Sequence, residues 1–205
     1  AGMMIGGFEA GMSARRLKGF QPSRAHVNAL IQGAGPDMCS RARYLVRNNG
    51  YAANAVESWT GNVVGTGIRP SSKIEEEKTK KNVQELWDCW TDEADAEGVT
   101  DFEGLQRRAA REVYIAGEVF IRLRIRRPQD GLCVPLQLQL IPAEMLPVHD
   151  NRTLPYGNII RQGIEFNPWG KRVAYHFYRH HPGDHTQPGL KGEQVRVPAE
   201  SVLHI

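Results

Sequence analysis

The sequence predicts an α+β fold, with helices first and antiparallel β-hairpins after them. In the first half, apolar residues recur with the period of a helix, most clearly at four positions: Val83, Leu86, Trp87 and Trp90. After Gly117 the period changes to two, and residues 119–125 alternate between apolar and polar side chains. Turn sequences at residues 128–131 and 167–170 then separate further runs of strand character. Helices followed by hairpins indicate an antiparallel sheet.

The first helices are predicted from residue 23 onwards. Residues 23–33 can form a short helix, and the glycine- and proline-rich run 33–37 is expected to be a loop. A helical pattern resumes near Asp37 and is interrupted at Asn49-Gly50, because both residues tolerate the left-handed conformation that ends a helix. We therefore expect an N-terminal arm over residues 1–36 and the main α+β unit over residues 37–205.

A glycine pair, Gly65-Thr66-Gly67, follows a β-branched run, and we predict a short strand over residues 62–68. Such a pair can belong to a phosphate-binding loop, which needs a third glycine, a helix that opens at once and an acidic residue about twenty positions on. Arg69-Pro70 follows instead. A turn with positive φ is therefore favoured over a nucleotide site.

Capping boxes predict the starts of two further helices. Ser72 is followed by Glu75, and Thr100 by Glu103, at the spacing that lets each side chain bond to the other residue's backbone N–H. The first of these helices carries the tryptophans, which could be a stacking platform for bases. Their helical spacing favours packing in the core instead.

The first predicted hairpin has two unlike faces. One face of its first strand is aliphatic, and the other carries the candidate contact residues of this chain: Arg122, Arg124 and Arg126. On the return strand, leucines alternate with Gln137 and Gln139, and Pro135 at its start is typical of an edge strand or of the point where a chain enters a strand. A row of arginines suits the phosphates of a nucleic acid, the carboxylates of a neighbouring subunit, or plain solvation.

Composition limits the classes of function. The chain has 205 residues, of which 40% are hydrophobic and 24% charged, and its net charge of +3 is too small alone to indicate nucleic-acid binding. Cys39, Cys89 and Cys133 are widely spaced and predict separate reduced thiols rather than a disulfide frame. No apolar run reaches the length of a membrane span, and we expect a protein made and used without export. No motif points to a cofactor.

Histidines crowd one region of the sequence: His176, His180, His181 and His185. Zinc accepts imidazole ligands, so a metal-dependent hydrolase using this region is the alternative function. Pro182-Gly183 splits the group, however, and no thiolate pair or His-Glu-x-x-His helix accompanies it. A polar loop without metal or catalytic residues is favoured. Glu144 and Asp150 are likewise expected to be solvated rather than an acid/base pair.

The chain ends on an apolar run of strand character, residues 202–205, with no turn or polar tail after it. Such a terminus would leave a half-built element, and we expect a fragment of a longer protein. An unpaired strand edge at this end would also favour aggregation.

Several blocks of the sequence resemble the portal proteins of lambda-like tailed phages. The first is RARYLVRNNGYA at residues 41–52 with NVVGTGI at 62–68, although many relatives have proline where this chain has Gly50. Further blocks follow in the order of the family: LQ at 105–106, GEVF at 117–120, LQLI at 138–141, GIEF at 163–166, RHHPG at 179–183 and VPAE at 197–200. Together they cover nearly the whole chain.

The resemblance implies the wing portion of a portal subunit, without the stem, clip and crown. It implies a non-enzymatic homo-dodecameric ring at a capsid vertex of the virion, assembled in the host cytoplasm, through which double-stranded DNA is packaged and ejected. The implied partners are the terminase large subunit and the major capsid, scaffold and head-completion proteins, with no membrane. For a ring-forming wing, contact of the three arginines with a neighbouring subunit is favoured over contact with DNA, and a merely solvated face stands as an equal alternative to these two roles together.

Overall fold

The computed structural model describes residues 22–184 and 192–205, together with residues 15, 19–20 and 186. Within this part of the chain, four helices come first: α1 Val27–Asn48, α2 Gly50–Val64, α3 Glu77–Glu93 and α4 Phe102–Ala116. Eight strands follow: β1 Val119–Ile125, β2 Leu136–Pro142, β3 Arg152–Thr153, β4 Ile159–Arg161, β5 Ile164–Phe166, β6 Arg172–Tyr178, β7 Gln194–Pro198 and β8 Val202–His204. All strand pairs are antiparallel. The predicted α+β fold is confirmed.

The predicted loop at residues 33–37 is wrong, because α1 continues through it with Pro36 inside the helix. A proline normally pushes the preceding residue out of the helical region, since its ring collides with that residue's Cβ. Gly35 has no Cβ, so the helical conformation survives. The helix thus crosses the expected boundary after residue 36. The division into an arm and a main unit stays a prediction, since most of residues 1–21 lie outside the described part.

The break at Asn49-Gly50 is confirmed, but its mechanism is capping. Asn49 has an extended backbone, with φ −128°, and its Oδ1 accepts hydrogen bonds from the N–H groups of Tyr51 and Ala52. The predicted strand over residues 62–68 is wrong, because α2 runs to Val64. Three residues spaced by one helical turn are buried and hold this end in helical form: Val56, Thr60 and Val64. The predicted turn with positive φ follows directly, at Gly65 and Gly67.

Neither capping box forms as predicted. The first turn of α3 has no side-chain cap, and α4 is capped by Asp101, whose Oδ1 accepts the N–H of Gly104 at 2.7 Å. For α4 the reason lies in Asp95, a buried carboxylate in the connection between the two helices. It accepts the N–H groups of Val99 and Thr100 at 3.0 and 3.1 Å, which holds Thr100 outside the helix.

The strands form two sheets, with the orders β2-β1-β8 and β3-β4-β5-β6-β7. The terminal run is not a half-built element, because Leu203 of β8 pairs with Ile121 of β1. The other edge of this sheet is β2, as Pro135 predicted. In the second sheet, residues 159–166 form a tight hairpin of β4 and β5, turning at Gln162 and Gly163 with φ values of 50° and 76°.

Apolar residues pack on both sides of the first sheet. The aliphatic face of β1 meets the helices in one cluster: Trp90, Ala94, Leu105, Ala109, Val119 and Leu140. The opposite face meets the second sheet in another: Phe120, Ile141, Leu146, Tyr175, Phe177, Val197 and Val202. The predicted tryptophan stripe is buried only in part. Trp90 is buried, whereas Val83 and Leu86 are 40% and 51% exposed, because the C-terminal half of α3 makes the core contacts.

Cys89 of α3 and Cys133 of the β1–β2 connection form a disulfide, with Cα atoms 6.3 Å apart. The prediction of separate reduced thiols is therefore wrong for this pair. Packing of α3 against β2 brings together two residues that are 44 positions apart in the chain. Cys39 is a free thiol. None of the helices in the described ranges has the length and apolarity that crossing a bilayer requires.

Candidate functional site

The arginine row of β1 is positioned by the register of the first hairpin. Arg122 stands opposite Gln139, and Arg124 stands opposite Gln137. The Arg124 guanidinium donates to Gln139 Oε1 at 3.3 Å, and Arg126 Nε donates to Gln137 Oε1 at 2.8 Å. The amides thus hold two of the three arginines along the strand. The predicted two-faced hairpin is confirmed.

The charges of this row are not neutralised within the described residues. None of the three arginines has a carboxylate oxygen within 4.0 Å, whereas the neighbouring Arg127 pairs with Asp130 at 3.2 Å. Burial, together with the nearby charge of Arg124, lowers the pKa of Arg122. Adjacent like charges without a counter-ion create a positive potential that favours an anionic partner.

One end of the same strand face is covered. Phe120, which precedes the arginines on that face, is fully buried, and its ring packs edge-on against Tyr175 and Phe177 at centroid distances of 5.7 and 5.1 Å. Phe120 shares a face of β1 with Arg122 and Arg124, because residues two positions apart in a strand lie on the same face. A single aromatic residue at the start of an otherwise polar strand face was the signal in the sequence that this end of β1 is covered, here by the second sheet. The open part of the face therefore starts at Arg122.

The structure places His176 of β6 beside a carboxylate. It is buried, and its Nε2 lies 2.9 Å from Glu165 Oε2. His180 and His181 lie in the loop that follows β6, and His185 lies outside the described residues. Over the described ranges, no group of candidate metal ligands contains a histidine.

Glu165 is a buried carboxylate with partners on three sides. Arg196 donates to both of its oxygens, at 2.8 and 3.2 Å, and Asn158 donates to Oε1 at 2.7 Å. The hydrogen bonds from Arg196, with those from His176 and Asn158, outweigh the effect of burial and lower the pKa of Glu165 to about 2. The cluster stabilises the second sheet and leaves no free carboxylate for acid or base chemistry.

Arg43 of α1 joins this helix to α4 and to the turn after β2. Its guanidinium donates to Glu112 at 3.1 and 2.6 Å and to Glu144 Oε2 at 2.7 Å. Burial raises the pKa of Glu144, but the hydrogen bonds from Arg43 outweigh it and lower that pKa. Burial and the charge of Glu144 raise the pKa of Cys39 to about 11. Glu144 was expected to be solvated and is instead partly buried and paired with Arg43.

A family profile described as phage portal protein, lambda family, matches residues 13–205. The chain belongs to this family. A curated relative, the probable portal protein of Halomonas phage phiHAP-1, is 28% identical over 171 residues, which cover 79% of this chain and 32% of the relative. This portal chain therefore spans about a third of the relative's length. The resemblance seen in the sequence blocks is confirmed.

The first helix of this portal chain leaves its apolar side chains open. No residue of α1 is buried, and six large apolar residues along it are each at least 44% exposed: Val27, Leu30, Ile31, Met38, Tyr44 and Leu45. Exposed apolar patches on proteins in general are typical of contact with a partner.

Sequence reasoning missed the charged pairs of the interior. Besides the two clusters above, Glu118 Oε2 lies 3.0 Å from His204 Nε2, joining the start of β1 to β8. The available signal was a charged residue between apolar neighbours in a strand, as at Glu165 and Arg196. Their pairing depends on the register of non-adjacent strands, which no local pattern specifies.

Proposed function

We propose that this chain is the wing portion of a structural portal subunit. The complete subunit forms a homo-dodecameric ring at one vertex of a tailed-phage capsid, and double-stranded DNA passes through the ring during packaging and ejection. The observation that carries the proposal is the family match over residues 13–205, which includes every helix and strand described above.

In this proposal the ring itself hydrolyses no nucleotide and docks the terminase large subunit. The scaffold, major capsid and head-completion proteins join it at successive stages of assembly. The subunit is made in the host cytoplasm and ends in the virion. A portal role requires a ring of defined shape and surfaces that bind other proteins, and it requires no reactive centre. In line with this, Glu165, Glu144 and His176 are all engaged in structural pairs.

Two surfaces supply the contacts that such a ring needs. The open apolar side of α1 can be covered by a neighbouring protein layer, which would remove apolar area from water. The row from Arg122 to Arg126 can pair with carboxylates of a neighbouring subunit, because guanidinium groups suit carboxylates in two-point contacts. We assign the row to subunit contact, with DNA contact as the competing role.

The rival function, a metal-dependent hydrolase, receives no support from the described residues. His176, which would have to leave its pair with Glu165, is the histidine most deeply placed in the sheet. Metal analysis of the purified, non-reduced chain distinguishes the two functions, since a hydrolase that uses histidine ligands needs stoichiometric metal even while the Cys89–Cys133 disulfide is intact.

The test of the proposal is assembly of a full-length subunit that contains this region. We expect closed rings in negative-stain images and a matching mass by mass photometry, and we expect the same gene to complement a phage that lacks its portal. The chain of residues 1–205 alone is expected to remain a monomer or small oligomer that does not bind terminase. A full-length subunit that stays monomeric and fails to complement would contradict the proposal. Closed rings from residues 1–205 alone would place the main ring contacts in this region.

A further inference from the structure

Two cysteine sulfur atoms and a carboxylate meet in the last turn of α3. Cys89 Sγ, Cys133 Sγ and a carboxylate oxygen of Glu93 all lie within 4.8 Å of one another. Cys89 and Glu93 are one helical turn apart, so their side chains leave α3 on the same side. Cys133 comes from the connection between β1 and β2, which folds back against the helix. Three potential metal ligands thus converge from two separate segments.

The carboxylate is held in place by the backbone. Glu93 Oε2 accepts the N–H of Cys133 at 2.9 Å, which aims the carboxylate at the two sulfur atoms. Its other oxygen, Oε1, has no hydrogen-bond partner within the described ranges. A ligand that a hydrogen bond already holds in position loses less entropy when it binds a cation. Such orientation by a neighbouring group is a general feature of metal sites.

We propose that Cys89, Cys133 and Glu93 bind a thiophilic divalent cation, such as Zn²⁺, when the cysteine pair is reduced. Two thiolates and one carboxylate are ligands that zinc prefers, and water completes the tetrahedron. A dithiol or phosphine reductant supplies the two electrons that break the S–S bond, and each sulfur takes up one proton. The cation then displaces both protons as it binds. The disulfide and the metal-bound form are alternative states of the same three residues.

The site would join α3 to the tip of the hairpin that carries the arginine row. Two residues after Cys133, the carbonyl of Pro135 accepts the N–H of Arg126 at 2.9 Å. A cation on Cys133 would therefore restrain the connection on which the end of the row depends. This inference is independent of the proposed ring function, because it concerns only groups within one chain.

The first experiment uses Co²⁺ as an optical probe on the reduced, chelator-treated chain. We expect one Co²⁺ per chain, with the thiolate-to-metal charge-transfer absorption of a sulfur-ligated site. Cys133→Ser should abolish this absorption, whereas Cys39→Ser, which removes the cysteine outside the cluster, should retain it. No uptake by the reduced wild type, uptake without the thiolate band, or loss of the band in Cys39→Ser would each overturn the proposal.

The role of Glu93 is tested with a neighbouring carboxylate as control. In a Zn²⁺ competition titration against a chromophoric chelator, Glu93→Gln should weaken affinity about tenfold or more, and the exposed Asp92→Asn should stay within about twofold of wild type. Equal weakening in both variants, or none in Glu93→Gln, would remove Glu93 from the site.

A third experiment uses only the wild-type protein, so its result does not depend on whether a variant folds. Zn²⁺ should protect Cys89 and Cys133 of the reduced protein from alkylation by iodoacetamide, and it should leave the rate at Cys39 unchanged. Peptide mass spectrometry reports the three rates separately. Equal rates with and without Zn²⁺ at Cys89 and Cys133 would overturn the proposal.

Discussion

His176 Nε2 and Glu165 Oε2 lie 2.9 Å apart on two neighbouring strands of the second sheet, β6 and β5. Arg196, directly opposite His176 on β7, reaches the same carboxylate. Three consecutive strands thus each contribute one polar group to a single cluster around the buried carboxylate of Glu165. Because the cluster depends on the register of both strand pairs, it specifies this register as well as stabilising it.

The first prediction concerns acid stability. The pKa of Glu165 is lowered from 4.5 to about 2 in the folded chain, so its contribution is fully present above about pH 4.5 and is lost as the pH falls towards 2. We expect a loss on the order of 3 kcal/mol in the free energy of unfolding across this window. Chemical denaturation at a series of pH values measures it. Glu165→Gln should flatten this part of the profile, and the exposed Glu200→Gln should not. An acid slope unchanged by Glu165→Gln would contradict the prediction.

The second prediction concerns the tryptophan stripe. Trp90 is buried and its Nε1 donates to the carbonyl of Leu136 at 2.7 Å. Trp90→Ala should cost about 3–5 kcal/mol through the cavity it leaves, and Trp90→Phe should lose about 1 kcal/mol for the hydrogen bond. Leu86→Ala, on the exposed part of the same helix, serves as the control and should stay within about 0.5 kcal/mol of wild type. A loss for Trp90→Ala in urea denaturation that is as small as the loss expected for Leu86→Ala would show that Trp90 is solvated and would contradict the prediction.

The third prediction compares two glycines near the end of α2. Gly67 has φ +109°, and a Cβ there would lie 2.3 Å from Glu103 Cγ. Gly67→Ala should therefore destabilise the chain by about 1–3 kcal/mol, partly through backbone strain. Gly61 is helical and has open space where its Cβ would be. Gly61→Ala should stabilise the chain by about 0.5–1 kcal/mol, since alanine loses less entropy in a helix. Thermal denaturation measures both changes. Midpoints that move in the same direction for Gly67→Ala and Gly61→Ala would contradict the prediction.

The fourth prediction assigns the arginine row. Replacing Arg122, Arg124 and Arg126 together by alanine should lower the fraction of rings formed by the full-length subunit in native mass spectrometry, because intersubunit ion pairs are lost. The control is a second triple variant that also removes three positive charges, at three exposed lysines, and it should assemble normally: Lys73→Ala, Lys78→Ala and Lys81→Ala. If rings persist in the arginine variant while filled heads retain less DNA, the row contacts DNA rather than a neighbouring subunit.

Elements with strong local patterns were predictable. The alternation of residues 119–125 and the leucines of residues 136–140 predicted a hairpin with an Arg/Gln face, and the register confirms it. Helix ends were less predictable, because several nearby side chains compete to accept the free backbone N–H groups at the start of a helix. Asp95 captures the N–H of Thr100, and Asp101 then caps α4 one residue later than the sequence indicated. The strand expected at Asn62–Ile68 became helix because Val64 is buried, and packing outweighs β propensity there.

The sequence by itself determined the order of helices and hairpins, the two-faced first hairpin and the family, because these are properties of local period and of residue blocks along the chain. Only the tertiary structure decided that Cys89 meets Cys133, that Arg43 bridges Glu112 and Glu144, and that Phe120 is buried. These are contacts between segments far apart in the chain. They depend on how helices pack on a sheet and on strand register, and the spacing of neighbouring residues carries no information about either.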